Sequence, residues 1–391
     1  MALTHLWLSD FRCFEKAEIQ PSDDVTVILG PNGSGKTSVL EAIGLLATMR
    51  SFRTSSRDAL VRKGSDTAYA RAEVRKNDRL VLLEAAIPLG RSARIQVNRQ
   101  PTKRIADLSG SLRVSVFSPE DLELVQGPPS QRRDFLDQCL TAGDPGMEAL
   151  VTEVDRILRH RAALLRNVAT RRGGRGDTSD TSDTSDTDKP PPHGTARMQE
   201  QTAGRGDVDS SFDVWDDRLA RAGTRLAESR EMLVQALTPL ATSGYRRLAD
   251  SDAFLTLEYN RSWNGDLRDA LESGRDDDIK HQATRSGPHR DELSIELNGL
   301  PARTHASQGE QRCVALALRL AAHELATSRS GEAPVLLLDD VFSELDDKRA
   351  AALAECLPRG QILLATAVGP PPALKGSIVD IADIATGAKT S

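Results

Sequence analysis

The sequence predicts an α/β fold interrupted by a helical arm, and three observations carry that prediction. Apolar β-type runs alternate with helical stretches toward both ends of the chain, the pattern of a sheet with helices packed on it. One run leads at once into a glycine-rich loop of the form G-x-x-x-x-G-K-T at 30–37. In the middle, two stretches with apolar residues at three/four spacing flank a tract that no core could absorb.

Strand-like runs lie at 4–8, 25–29, 80–87 and 112–117 in the first part of the chain and at 253–259, 293–297, 335–338 and 362–366 in the last. Helical periodicity occupies 38–49 and 310–327. Between these parts Met147, Leu150, Val154, Leu158, Leu165 and Val168 keep one apolar stripe. Phe212, Trp215, Leu219, Leu226, Leu233 and Leu240 keep another, with Pro239 near its end. Two such helices suggest a short antiparallel arm. The tract joining them, about 171–210, carries an Asp/Thr/Ser repeat and Pro190-Pro191-Pro192 and is expected to be disordered. The organisation expected is therefore 1–130 as the first part of a head, 131–250 as a helical lid or arm, and 251–391 as the second part of the head.

With 391 residues, 39% hydrophobic and 28% charged, the chain has the composition of a globular protein with a sizeable core. No apolar run approaches the ~20 residues that cross a bilayer, and the first residues lack a signal-peptide pattern, so a cytoplasmic protein without membrane contact is expected. Cys13, Cys139, Cys313 and Cys356 are widely spaced and form no metal-ligand or disulfide pattern. The net charge of −6 argues against a polyanionic partner, but its distribution does not. Residues 50–104 hold 14 basic against 5 acidic side chains, and 91–104 has no acid at all. On charge alone this region reads either as a solvated arginine face or as a surface for a phosphate backbone.

Gly30, Pro31, Asn32, Gly33, Ser34, Gly35, Lys36 and Thr37, running on into Ser38, satisfy a nucleotide-binding loop at every required position. Glycines let successive N–H groups curl around a phosphate, Lys36 reaches the β/γ-phosphates, and the Thr37 hydroxyl can ligate Mg²⁺. The ligand expected is ATP with Mg²⁺. A second apolar strand, 335–338, ends in Asp339 and Asp340. Asp339 is then aimed at the metal shell beside Thr37, and Asp340 can polarise an attacking water. Lys36 and Asp339 lie far apart in the chain, so the nucleotide fold is split and its parts must meet in space.

Just before this strand comes Ser307-Gln308-Gly309-Glu310-Gln311 at the start of an apolar-periodic helix. A hydroxyl, free N–H groups and a positive dipole end suit an anion such as a γ-phosphate. An ordinary S-x-x-E capping box, Ser307 with Glu310, accounts for the same residues. Taken with the Asp-Asp strand and with Ser343-Glu344-Leu345-Asp346, the series resembles the signature, Walker B and D-loop motifs of the ABC/SMC ATPase superfamily. Within it the chain resembles the RecF family of DNA replication and repair proteins. Further segments that carry this resemblance are Phe11-Arg12, Leu40-Glu41-Ala42-Ile43, Ser51-Phe52-Arg53, Phe117-Ser118-Pro119-Glu120-Asp121, Arg132-Arg133-Asp134-Phe135-Leu136-Asp137 and Gly287-Pro288-His289-Arg290-Asp291.

The resemblance implies an SMC/ABC-type ATPase head with a helical lid, forming an ATP-dependent homodimer. ATP would be sandwiched between the P-loop of one subunit and Ser307, Gly309 and Gln311 of the other. It implies binding of double-stranded DNA at single-strand gaps, and with RecR and RecO the loading of RecA, in recombinational repair and replication restart. It also places Arg12 beside the phosphates. In that context Arg53, Arg57, Arg91, Arg94 and Arg99 of the basic region read as DNA contacts. Asp340, where most ABC proteins have Glu, is consistent with a weak, DNA-dependent ATPase used as a switch. The Q-loop and switch positions fall on Glu120 and Thr366, and the 177–188 repeat lies outside the family pattern. A transporter subunit, the main rival, would carry Leu-Ser-Gly-Gly-Gln, an adenine-stacking aromatic and a switch His, a set this chain lacks.

Overall fold

The computed structural model describes residues 1–54, 56–77, 79–102, 108, 110–142, 144–173 and 196–386. In the first part of the chain the strands are β1 Ala2–Phe11, β2 Phe14–Ile19, β3 Val25–Leu29, β4 Thr67–Lys76, β5 Arg79–Pro88, β6 Arg94–Val97, β7 Gln100–Thr102 and β8 Val114–Phe117. The last part adds β9 Leu255–Asn260, β10 Glu292–Leu297, β11 Leu300–Pro301, β12 Val335–Asp339, β13 Ile362–Thr366 and β14 Ser377–Asp380. By internal contacts the chain divides into two compact units. One comprises Met1–Pro145, Met232–Glu258 and Ser294–Ser391; the other comprises Gly146–Glu231 and Tyr259–Leu293.

The first unit holds a five-stranded sheet in the order β14-β3-β13-β12-β8, every pair parallel. β12 and β13 are buried at all five positions, as expected of parallel strands covered on both faces. A six-stranded antiparallel sheet, β2-β1-β4-β5-β6-β7, lies in the same unit. Helix Lys36–Thr48 buries Val39, Leu40, Ile43 and Leu46 completely, in one core with Leu3, Leu6, Leu83 and Ile87 of the antiparallel sheet and Ile28, Leu337 and Leu363 of the parallel one. Its apolar residues therefore surround most of its circumference, and the loop before it is fixed to a rigid element.

Strand β4, absent from the expected elements, shows why alternation was missed. Its inward positions are Ala68, Ala70, Ala72 and Val74, and its outward ones include Tyr69, Arg71 and Arg75. Alanine has low strand propensity, so the period of two is present in burial but faint in hydropathy.

In the second unit, helix Pro145–Gly173 and the part of helix Ala196–Ala249 up to Glu231 run antiparallel, since Arg161 meets Asp216 while Leu165 and Val168 meet Phe212. The expected disorder over 171–210 needs correction at its edges: 171–173 and 196–210 are helical, and 174–195 lie outside the described residues. Helix-forming Ala, Arg, Met, Gln and Glu follow the proline tract, and propagating an existing helix is far easier than nucleating one. Pro239 does not end the second helix either, which continues to Ala249. Burial of Ala241, Tyr245 and Leu248 beyond it offsets the ~3 kcal/mol cost of an interior proline.

The expected boundaries at 131 and 250 also move. Residues 131–145 and 232–250 pack with the head, whereas 259–293 join the arm. The fully buried Arg161 explains the second change, because it donates to Asp216 at 2.8 Å, to Asp278 at 2.7 Å and to Thr284 at 2.9 Å. A buried guanidinium must be paired, and its partners come from a segment that sequence proximity assigns elsewhere. The Gly287-Pro288-His289-Arg290-Asp291 segment belongs to this unit as well: Gly287 has φ 130°, Nε2 of His289 donates to the Thr284 carbonyl at 2.9 Å, and buried Asp291 accepts from the Tyr259 hydroxyl and from Ser262 N. Among the described residues no helix is long and apolar enough to cross a membrane.

Candidate nucleotide site

The site forms where the parallel strands end, the edge at which open α/β sheets place their ligands. Register brings Asp339 of β12 level with Ala365 of β13, and Ala365 level with Ile28 of β3. The loop after β3 therefore begins beside the carboxylates that end β12. Thr37, at the start of the helix, donates its hydroxyl to Asp339 Oδ1 at 2.7 Å, joining residues 302 positions apart.

The loop itself is held open. Gly33 has φ +80° and nothing within 4 Å of where a Cβ would stand; Gly35 has φ +104°, with Cys13 Sγ and Phe14 Cζ each 2.6 Å from that point. A side chain at Gly35 would be both strained and blocked. Gly35 also caps helix Lys36–Thr48 without any side-chain hydrogen bond to the first turn, so those N–H groups face the loop without a capping side chain. Lys36 Nζ donates to the carbonyls of Gly30 and Pro31, both at 2.9 Å, leaving the third of its three donors for a ligand. Pro31, Asn32 and Gly33 are exposed, while Lys36 and Ser38 are buried.

Two buried oxygens here have no hydrogen-bond partner, Ser34 Oγ and Asp340 Oδ1. Unpaired buried polar atoms are costly, and one on the glycine loop and another directly after Asp339 match a site completed by a polyphosphate and its cation. Asp340 sits in the left-handed region at φ 50°, with its N–H on the Ala365 carbonyl at 2.8 Å. Its carbonyl accepts from Ser343 Oγ, also at 2.8 Å. Burial pushes the Asp339 carboxyl up to about 6; the Thr37 hydrogen bond and Arg53 pull it down, and Glu120 and Asp340 add to the rise.

That carboxyl must be ionised to serve a cation, so the sign of the pH effect follows. Affinity for Mg²⁺-bound ATP should be flat above pH 7 and fall about tenfold per pH unit below 6, with proton release on binding. Calorimetry in two buffers of different ionisation enthalpy measures that release. Asp339→Asn, which cannot titrate, should abolish the component specific to this protein.

The remaining expected site residues divide into those the structure brings here and those it commits elsewhere. Arg53, expected on DNA, is exposed but close enough for its charge to act on Asp339. Its loop is anchored by Ser51, whose hydroxyl accepts from Arg53 N and donates to Glu41. Arg12, expected at the phosphates, gives Nε and Nη2 to Glu41 at 2.7 and 2.6 Å and Nη1 to the Ala59 carbonyl at 2.7 Å. Glu41 is fully buried on the P-loop helix, which explains the pairing; a carboxylate inside an apolar helical run was the available signal.

Ser307 realises the capping box, accepting from Glu310 N at 3.3 Å while Glu310 Oε2 accepts from Ser307 N and Oγ at 2.7 Å. Gln311 is buried and structural in its contacts: Nε2 donates to the Ala302 and Arg303 carbonyls at 3.0 Å, and Oε1 accepts from Gln126 at 2.6 Å. Gln126 thus reaches the signature helix from the segment after β8, where Glu120 was the expected Q-loop residue. Thr366 is buried at the end of β13 and donates to the Val368 carbonyl at 2.9 Å. Arg57, Arg91, Arg94 and Arg99 are exposed; Arg94 begins β6, and Arg99 lies with Asn98 in the turn to β7, both at positive φ.

Known proteins resemble this chain over nearly its whole length. The family described as RecF/RecN/SMC N terminal domain matches residues 2–364. A protein of Streptomyces avermitilis named DNA replication and repair protein RecF is 39% identical over 377 residues, covering 94% of this chain and 93% of its own. One of Nocardioides sp. with the same name is 41% identical over 399 residues, covering 94% of each. Among solved structures, one described as the recombination mediator protein RecF-ATP in the RecFOR pathway superposes with a TM-score of 0.80 at 26% identity, over 97% of this chain and 95% of that one. An Smc head domain from Pyrococcus furiosus, at 15% identity and a TM-score of 0.53 over 97% of this chain and 92% of that one, shares the fold.

Proposed function

The chain belongs to the RecF family of DNA replication and repair proteins, and on that premise we propose that it is an ATP-gated DNA clamp. One observation carries the nucleotide part: the Thr37–Asp339 hydrogen bond unites the glycine loop and the Asp-Asp strand end beside two unpaired buried oxygens. Lys36 and the first-turn N–H groups hold the β- and γ-phosphates, and Thr37 and Asp339 hold Mg²⁺. The cation, when bound, neutralises phosphate charge at the γ-phosphoryl. Asp340 orients the water, and being one methylene shorter than Glu it does so slowly. Ser34 Oγ, buried and otherwise unpartnered, donates toward the phosphates.

With ATP bound, two subunits close head to tail, each presenting its Ser307–Gly309 helix start to the other's nucleotide. The closed dimer engages double-stranded DNA at single-strand gaps and works with RecR and RecO in loading RecA. Supporting the DNA reading, Arg91, Arg94 and Arg99 are exposed together on the strand and turns around β6, in a region with no nearby acid in sequence.

Reversing Arg91, Arg94 and Arg99 to Glu tests it. DNA affinity should fall regardless of sequence, and the dependence of log K on log salt should flatten by about one for each lost phosphate contact. Gapped duplex with ATP or ADP, measured by fluorescence anisotropy across salt, gives the slope. An unchanged slope assigns these arginines to a solvated face.

A further inference from the structure

The signature helix begins under a guanidinium that no sequence motif pointed to. At Gly309 a Cβ would stand 2.8 Å from Arg349 Cζ and 3.0 Å from its Nη2, so the side chain of Arg349 lies flat against this glycine. Arg349 belongs to the helix Asp347–Cys356 that follows the D-loop. Its Nη1 donates to Asp346 Oδ2 at 2.9 Å, and its N–H is capped by the same aspartate at 2.9 Å. Around it are Glu310, whose carboxyl it helps hold low, the buried Cys313 thiol and Tyr245. The guanidinium is one-third exposed, and its only ion pair among the described residues is with Asp346 of the D-loop.

We propose that Arg349 is a γ-phosphate-binding residue that acts across the dimer. This rests on the reading of Ser307–Gly309 as the face presented to the partner's nucleotide. In the free subunit the guanidinium is parked on Gly309 and neutralised by Asp346. On closure the γ-phosphate of the partner-bound ATP arrives at the same helix start and takes the guanidinium, as an anion of higher charge with fork-matched oxygens. ADP offers nothing at that position. The requirement for glycine at 309 follows, since any side chain would displace the arginine. Arg349 thereby adds a check on the third phosphate that is separate from Lys36.

Arg349→Gln, Asp346→Asn and Ser307→Arg, compared by analytical ultracentrifugation with the non-hydrolysable analogue AMP-PNP and with ADP, decide the matter. Arg349→Gln should bind ADP as the wild type does and lose AMP-PNP-driven dimerisation by at least tenfold in protein concentration. Asp346→Asn keeps the helix cap, because Asn caps as well as Asp, but frees the guanidinium. It should dimerise at least as well as the wild type. If the pair is only a structural tie, both substitutions weaken dimerisation alike, and the proposal fails. It also fails if Arg349→Gln dimerises normally while Ser307→Arg does not, an outcome that leaves the signature reading standing. Normal dimerisation of Ser307→Arg overturns that reading itself.

Discussion

Lys36→Met should bind ATP about 30- to 150-fold more weakly than the wild type, the equivalent of the roughly 2–3 kcal/mol lost with a charge-assisted contact in a buried setting. Asp340→Asn should bind it normally. The difference follows from position. On the proposed reading Lys36 reaches the phosphates from inside the loop, with its ammonium braced by the Gly30 and Pro31 carbonyls, whereas Asp340 lies beyond Asp339 with a buried oxygen that has no hydrogen-bond partner. Loss of the first removes ground-state contacts, and loss of the second removes only the orientation of water. Asp340→Asn should therefore accumulate as a lasting dimer when ATP is added, while Lys36→Met stays monomeric in size-exclusion chromatography. Equal behaviour of the two variants refutes the separate roles.

Mixing two inactive proteins should restore hydrolysis if the site is shared between subunits. Lys36→Met and Ser307→Arg each damage both composite sites of their own homodimer. In a heterodimer both lesions fall in one site and the other is intact. Activity should rise from near zero to about half that of a wild-type pair, provided pairing is enforced by a long flexible linker that supplies a high effective concentration. A linked wild-type pair sets the reference. Persistent inactivity of the linked mutant pair means that the two sites fire only together or that Ser307 does not act in trans. Wild-type activity of the Ser307→Arg homodimer would return Ser307 to the role it fills in the free subunit, a capping box with Glu310.

Local chemistry was legible wherever a short segment carries its own physical reason. The glycine loop, the Asp-Asp strand end and the Ser307 helix start each declare themselves within a few residues, because backbone freedom, strand periodicity and capping are local properties. The central parallel strands β12 and β13 were equally plain, being continuous apolar runs. Much of the six-stranded sheet was not: apart from β1 and β5, its strands β2, β4, β6 and β7 are short, alanine-rich or charged on one face, and only their pairing makes them strands; the same is true of β14 at the edge of the parallel sheet. The same holds for the extent of helix Ala196–Ala249, where packing overrides Pro239.

The sequence by itself determined that this chain has a nucleotide loop, a carboxylate pair to go with it, and a family. Which charged side chain serves which site was decided only by tertiary structure. Arg12 matched a family segment, yet it is spent on Glu41; Arg53 was grouped with DNA contacts, yet its charge is felt at Asp339; Gln311 belongs to the signature, yet it braces Gln126 and two carbonyls. Arg349, without a motif of its own, lies on Gly309. Sequence spacing assigns a charge to a neighbourhood of the chain, but the cost of burying an unpaired charge is settled by whichever opposite charge or carbonyl the fold brings within about 3 Å. That partner is usually far away in sequence, as Thr37 is from Asp339.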